Sequence, residues 1–430
     1  MKKSTIKLII FIFCFLNSGL KYHCQKTKNI SLINSTFLGG EGRNYYGNIA
    51  PDSLNKIWKY YLGKGKTTIS RNLGERVWAG AGWSGQPLLI QENDTLYIIQ
   101  GCYDHHLKKI NAETGKLVWE YKFDDVVKGT GTIWHYKNAP NLEQSFIIFQ
   151  GSRLGYGKYL DAKHIPSYRA ISYITGKELW RLDVSITDSY SRDVDGSCLM
   201  YDDTLYIGLE NGIFTVIDPK PSNGENKDGM FQPKILSESI LYNKKDIALH
   251  RKNLVTESSP SKIGNHIYIA SGSGHVYGYN LKTDSLDWDF YIGSDIDGSA
   301  IVTSDSCLLI SVEKQYIKGN GGVFKLNPRK KPSECVEWYY PVKGSKISSW
   351  EGGVIGSVGV NVKENENDNL AAFVDVNGEL NIVEHDKINS EKTVFGPNNI
   401  KKYKTPKLIY SESINASIST PIFVGNKLIV

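Results

Sequence analysis

Apolar and polar positions alternate in short runs along most of this chain, and glycine-bearing turns separate the runs. Residues 95–100 (TLYIIQ), 204–209 (TLYIGL) and 266–271 (HIYIAS) are three such runs, each rich in Leu, Ile and Tyr. A second kind of run follows a glycine turn, at 212–218 (GIFTVID), 274–280 (GHVYGYN), 322–327 (GVFKLN) and 378–384 (GELNIVE). A third kind carries a tryptophan. It closes the phrase INAETGKLVWEY at 110–121, where Thr114-Gly115 supplies the turn and Leu117 and Trp119 alternate with Lys116 and Val118. The same spacing returns with Trp180 after Thr175-Gly176 and with Trp288 after Thr283-Asp284; 325–338 is a copy with an insertion before Trp338. No sustained helical period follows the first twenty residues.

One such hairpin cannot bury its tryptophan, whereas stacked copies can, each ring packing on the next unit. With a short opening strand, each unit has four strands. The pattern therefore predicts an all-β chain, a β-propeller of four-stranded blades, with about seven blades visible and seven or eight in a full-length protein. A strand around Trp58 has no partner strands before it and is expected to complete the last blade. The last unit has two strands and stops inside the second, at 426–430 (NKLIV), which reads as a truncated C-terminus. Three segments follow: a signal peptide at 1–19, a polar, Gly-rich leader at 20–44, and the propeller at 45–430.

Composition narrows the class. With 40% hydrophobic and 22% charged residues among 430, the chain is globular and not disordered, and its 26 Tyr and 9 Trp suit strands. The net charge of +6 comes from scattered lysines. Without a basic stripe interleaved with aromatics, no nucleic-acid partner is expected. Lys2, Lys3 and Lys7, the apolar stretch 8–16 and then Asn17-Ser18-Gly19 follow the basic, apolar, small order of an export signal. The apolar stretch is too short to span a bilayer, so no transmembrane span is expected after signal removal. The protein is expected to be exported: periplasmic, cell-surface or secreted. Of six cysteines, Cys14 lies in the signal; the remaining five show no CxxC, and Cys198 and Cys307, set among apolar neighbours, are expected to be buried free thiols.

The strand–(D/N)xxTGxxxW–strand phrase, clearest at 111–119, 173–180 and 280–288, resembles the quinoprotein-like propeller repeat, also called the PQQ-like repeat. The likeness covers about 37–430, and 37–61 is similar to the segment with which such proteins begin. The enzymatic branch of that family implies an eight-bladed quinoprotein dehydrogenase holding PQQ and calcium beneath a disulfide of adjacent cysteines. This chain has no adjacent cysteines. The non-catalytic branch implies an assembly scaffold of the cell envelope.

The innermost strand of each blade should open on the face where propellers bind ligands. Aligning the units places Ser84, Lys137, Asp195, Glu257, Asp297, Glu351 and Ile418 at one level, with Asp193 and Asp295 two residues earlier in their units. Carboxylates gathered there repel unless a cation intervenes, so the expected site is an acidic funnel for a cation, a cationic group or a sugar-like ligand. Calcium would sit at Asp195, Glu257 and Asp297. Trp83, Trp134 and Trp350 fall near the same level and offer flat rings. Turn-making is the competing role for Asp195-Gly196 and Asp297-Gly298. The function expected is that of a non-catalytic binding or assembly module whose partner is a protein or a saccharide. A PQQ- and calcium-dependent dehydrogenase is the first alternative, a carbohydrate-binding or carbohydrate-cleaving propeller the second.

Overall fold

A computed structural model describes residues 29–70, 74–82, 85–154, 162–344, 350–361 and 369–430. The signal, Cys14, Cys24, Trp83 and Ser84 lie outside the described residues. Four-stranded antiparallel sheets follow one another along the chain, as a β-propeller requires. Blade 1 comprises Leu88–Glu92, Thr95–Gly101, His106–Asn111 and Leu117–Lys122. Blade 2 comprises Thr132–His135, Phe146–Gly151, Tyr168–Ser172 and Glu178–Leu182. Blade 3 is Leu199–Tyr201, Thr204–Gly208, Ile213–Asp218 and Lys234–Ile240, and blade 4 is Ser261–Ile263, His266–Ser271, His275–Asn280 and Ser285–Tyr291. Blade 5 is Ile301–Val302, Leu308–Val312, Gly322–Leu326 and Val336–Pro341; blade 6 is Gly359–Val360, Leu370–Val374, Glu379–Phe395 and Lys402–Ser413. Ile422–Val424 and Lys427–Ile429 form a two-stranded pair after blade 6.

The blades are copies at the level of register. In every one of the six, the pairing of third and fourth strands slips by a bulge at the same place. Lys109 faces Trp119, Ala170 faces Trp180, Gly278 faces Trp288 and Lys325 faces Trp338 immediately before the slip. Ser237 and Tyr410 hold that position in blades 3 and 6, which have no tryptophan there. The indole N–H of Trp119 donates to Tyr173 O (3.1 Å), that of Trp180 to Pro219 O (2.9 Å), that of Trp288 to Lys330 O (3.1 Å) and that of Trp338 to His385 O (2.8 Å). In each case the acceptor belongs to the next blade. The turn glycine makes room: a Cβ on Gly176 (φ +72°) would lie 2.9 Å from the Trp119 ring. The hydrophobic core is accordingly divided among the interfaces. One cluster joins blades 2 and 3 (Phe149 and Trp180 with Leu205 and Ile207), and another joins blades 4 and 5 (Tyr268 and Trp288 with Leu308 and Phe324). Cys102, Cys198, Cys307 and Cys335 are buried free thiols, as the apolar setting of Cys198 and Cys307 suggested.

Residues before blade 1 are more than a leader. Ile30–Asn34 pairs with the first strand of blade 1, and Ser35 O accepts from Ile133 N at the first strand of blade 2. Glu41 O and Gly42 O accept from Lys262 N and Val302 N, in or beside the first strands of blades 4 and 5. Gly47 bridges to Val424. Arg43 is fully buried; its guanidinium donates to Pro260 O (2.8 Å), Cys198 O (2.9 Å), Phe37 O (3.0 Å) and Thr36 Oγ1 (2.6 Å). The polarity that made this stretch resemble a leader serves the unpaired backbone of the inner strands. Residues 53–63 form no strand. Trp58 nevertheless treats blade 1 as the other tryptophans treat their successors: its Nε1 donates to Ala112 O (2.7 Å), and its ring lies 2.9 Å from a Cβ on Gly115.

Candidate functional site

The inner strands are tied together just before they begin. Gln86 N donates to Thr130 Oγ1 (2.7 Å), Ser197 N to Ser259 Oγ (2.9 Å), Ser259 N to Ser299 Oγ (2.8 Å), Ser299 N to Ser357 Oγ (2.9 Å) and Ser357 N to Thr420 Oγ1 (3.0 Å). Ser197 Oγ donates to Thr130 O (2.7 Å), which joins the two arcs. These hydroxyl residues surround a cavity of about 210 Å³, which Phe37 and Leu38 of the N-terminal segment also line. The backbones approach so closely that a Cβ on Gly129 would lie 1.9 Å from Asp195 O.

This belt fixes which residues share a level, because the residue two before each hydroxyl holds the same place in its unit. Those residues are Lys128, Asp195, Glu257, Asp297, Ile355 and Ile418 among the described ones. Asp195, Glu257 and Asp297 line the same cavity, but the three acids expected to share a calcium ion divide between two clusters, Asp297 falling apart from Asp195 and Glu257. Lys137 and Glu351 are not at that level, and two corrections follow. Lys137 comes after the first strand of blade 2 and is exposed, whereas Lys128 comes before it. Glu351 is exposed, four residues ahead of Ile355, although its charge reaches Glu313. Trp134 is a packing residue: it is buried in the cluster between blades 2 and 3, stacked on Tyr136 at 4.9 Å and 10°. Trp350 does line the acidic pocket.

Asp195, Glu210 and Glu257 form one triad in which one oxygen from each carboxylate lies within 4.8 Å of the others, and Asp295, Asp297 and Glu313 form a second. Glu210 and Glu313 sit just past the second strands of blades 3 and 5, at equivalent places in the register. Single-strand alternation gave no sign of them, since only the fold returns a second strand's end to the first strand's beginning. Lys128 carried a readable signal. Lys128-Gly129-Thr130 has the form of Asp195-Gly196-Ser197 and Asp297-Gly298-Ser299, with the glycine where inner backbones meet.

The Lys128 ammonium is seated on Asp195 Oδ2 and lies 3.6 Å from Glu257 Oε1. Burial works against its charge, but Asp195 and Glu257 outweigh that and raise its pKa well above the ordinary lysine value. Beside it, Arg153 Nε donates to Asp193 Oδ2 at 2.9 Å. The hairpin Lys64–Ser70/Gly74–Ala79 reaches this side, with Thr68 O accepting from Arg153 and Trp78 under its guanidinium at 5.2 Å. Ser191 Oγ donates to Glu210 Oε2 (2.6 Å), and Asn253 Nδ2 to Asp295 Oδ2 (2.5 Å).

Among the described residues, the six carboxylates of the two triads thus have one cation in ion-pair contact, Lys128. The shortage of positive charge shows in their acidities. Burial, then Asp295 and Glu257, push Glu313 up to about 9; burial and Glu257 push Asp295 up to about 7. Burial and neighbouring carboxylates also hold Glu210 and Asp297 well above the usual carboxylate range. Oxygen donors at this spacing suit a hard cation or an ammonium group. They do not suit PQQ. That quinone is a flat tricarboxylate, and the cationic side chains that the described residues bring to the mouth, Lys128 and Arg153, are already bound to acids of the chain.

A family model described as outer membrane protein assembly factor BamB matches residues 65–288, just over half of the chain. A search of curated proteins found no match. Among solved structures, BamB from Moraxella catarrhalis is 12% identical, with 77% of each chain covered and a TM-score of 0.47. U3-55K is 11% identical, with 77% of this chain and 83% of that chain covered and a TM-score of 0.45. The computationally designed Ika8 protein is 10% identical, with 92% and 96% covered and a TM-score of 0.46. Among the described residues, no helix is long and apolar enough to cross a membrane. By the family match across its repeats, the chain belongs to the family described as outer membrane protein assembly factor BamB.

Proposed function

We propose that this protein is an exported, non-catalytic binding or assembly module, and that its acidic mouth holds a positively charged group of a ligand or protein partner. The family to which it belongs is described as an assembly factor of the outer membrane, which supports the module reading. The observation that carries the choice of ligand is the imbalance at the mouth, where two carboxylate triads meet one lysine. The basic, apolar, small order of residues 1–19 supports export.

Two measurements test the proposal. An oligolysine peptide, used as a probe of a cationic partner surface, should bind the purified protein with an affinity that falls steeply with salt. Asp297→Asn/Glu257→Gln should weaken that binding, and equal binding by the variant would refute the mouth as the site. In the second, PQQ and Ca²⁺ are added and dye reduction with alcohols and sugars is followed; turnover with bound quinone absorbance would overturn the non-catalytic reading.

A further inference from the structure

The two triads are alike in composition but not in how the chain treats them. A lysine of blade 2 fills the first, on Asp195 and Glu257. The second, Asp295–Asp297–Glu313, has no cationic side chain of the described residues in ion-pair contact. Two buried oxygens point beyond the acids themselves. Glu313, 2% exposed, has its Oε1 without a hydrogen-bond partner. Asn253, 6% exposed, comes from the stretch before blade 4 and lines the same pocket. Its amide N–H groups are directed to Asp295 Oδ2 (2.5 Å) and Gln315 Oε1 (3.2 Å), which leaves its Oδ1 facing no donor. A buried amide oxygen left without a donor among carboxylates is a ready ligand for a cation.

We infer that Asp295, Asp297, Glu313 and Asn253 form a binding site for one divalent metal ion. The all-oxygen donor set, three carboxylates and an amide, selects a hard ion such as Ca²⁺ or Mn²⁺ over a thiophilic one. Lys128 plays the same part in the neighbouring triad, so the molecule carries one built-in cation and one exchangeable one. This inference rests on the mouth being a cation site, as proposed above, and narrows it to a metal at one triad.

The test is calorimetry on the full chain after chelator treatment, with Ca²⁺ and Mn²⁺ as probes and cadaverine as an alkylammonium control. One divalent ion per chain is expected. Asp297→Asn and Glu313→Gln should each weaken it by roughly tenfold or more. Both are near-isosteric, and circular dichroism would confirm that they fold. Lys128→Met should bind a second ion, at the first triad. Cadaverine binding that Asp297→Asn abolishes, with no divalent binding, would sink the metal site and leave the cationic mouth standing. No binding of either probe would sink both. Divalent binding unchanged in Asp297→Asn and Glu313→Gln would place the ion elsewhere and refute the assignment.

Discussion

Replacing Lys128 by methionine keeps the apolar stem and removes only the ammonium, which makes it the sharpest probe of the acidic mouth. In the wild type that ammonium sits between Asp195 and Glu257, with its side chain 12% exposed and that of Asp195 3% exposed. Without it, Asp195, Glu210 and Glu257 face one another. Two carboxylates about 4 Å apart repel by about 4 kcal/mol at an effective dielectric constant near 20. The folded chain can escape by taking up a proton, at a cost set by the distance between pH 7 and an ordinary carboxylate pKa near 4, again about 4 kcal/mol. The loss at pH 7 should therefore be about 3–4 kcal/mol, within the range for breaking a buried pair by removing one partner. At pH 5 the protonation route costs only about 1–2 kcal/mol, so the deficit should shrink as the pH falls. The sign follows from the folded variant holding a proton that its unfolded chain releases above pH 4. Urea unfolding in chelator-treated buffer, at pH 7 and pH 5, reads both effects. Lys128→Met/Asp195→Asn should recover most of the loss by removing one of the opposed charges. A variant within 1 kcal/mol of wild type at pH 7, or one equally destabilised at both pH values, would refute the reasoning.

Three further outcomes test the repeat architecture and its buried groups. Trp180→Ala should cost about 3–5 kcal/mol in urea unfolding, and Trp180→Phe about 1–2 kcal/mol, since the latter leaves Pro219 O without its donor. Gly129→Ala puts a Cβ 1.9 Å from Asp195 O, backbone that cannot swing aside, so its melting temperature should fall well below that of an alanine at Gly40, where nothing lies within 4 Å. His250 is buried beside Asp246 and His275, and burial pushes its pKa down from 6.5 to about 4. Because the unfolded chain protonates first, its contribution is complete above about pH 6.5 and is lost between there and pH 4, by up to about 3 kcal/mol. His250→Phe should flatten the melting temperature over that window, and an unchanged slope would show that other groups set it.

Much of the architecture was legible because it is local. Alternating strands recur along the chain, and in blades 1, 2, 4 and 5 a tryptophan marks the fourth strand. Asp195, Glu257 and Asp297 were legible for the same reason: each precedes a small-residue bend in a well-kept copy. Lys137 and Glu351 were misplaced because loop lengths differ between units, so counting from one unit to the next slips along the chain. Residues 29–44 were read as part of a leader because polar residues and glycines crowd the stretch. They are held by hydrogen bonds to inner-strand backbone, a use of polarity that no periodicity records.

By itself, then, the sequence determined the strand menu, the repeating unit and the small residues where inner backbones crowd together. These follow from the period of two, from turn stereochemistry and from steric size, all of which act between near neighbours. Only the tertiary structure decided that Lys128 neutralises Asp195 and Glu257, that Glu210 and Glu313 join them, and that Arg43 is buried against the inner strands. Those pairings depend on distances between strands far apart in the chain. Charge and burial, which govern acidity and cation binding, are properties of that space and not of the order of residues.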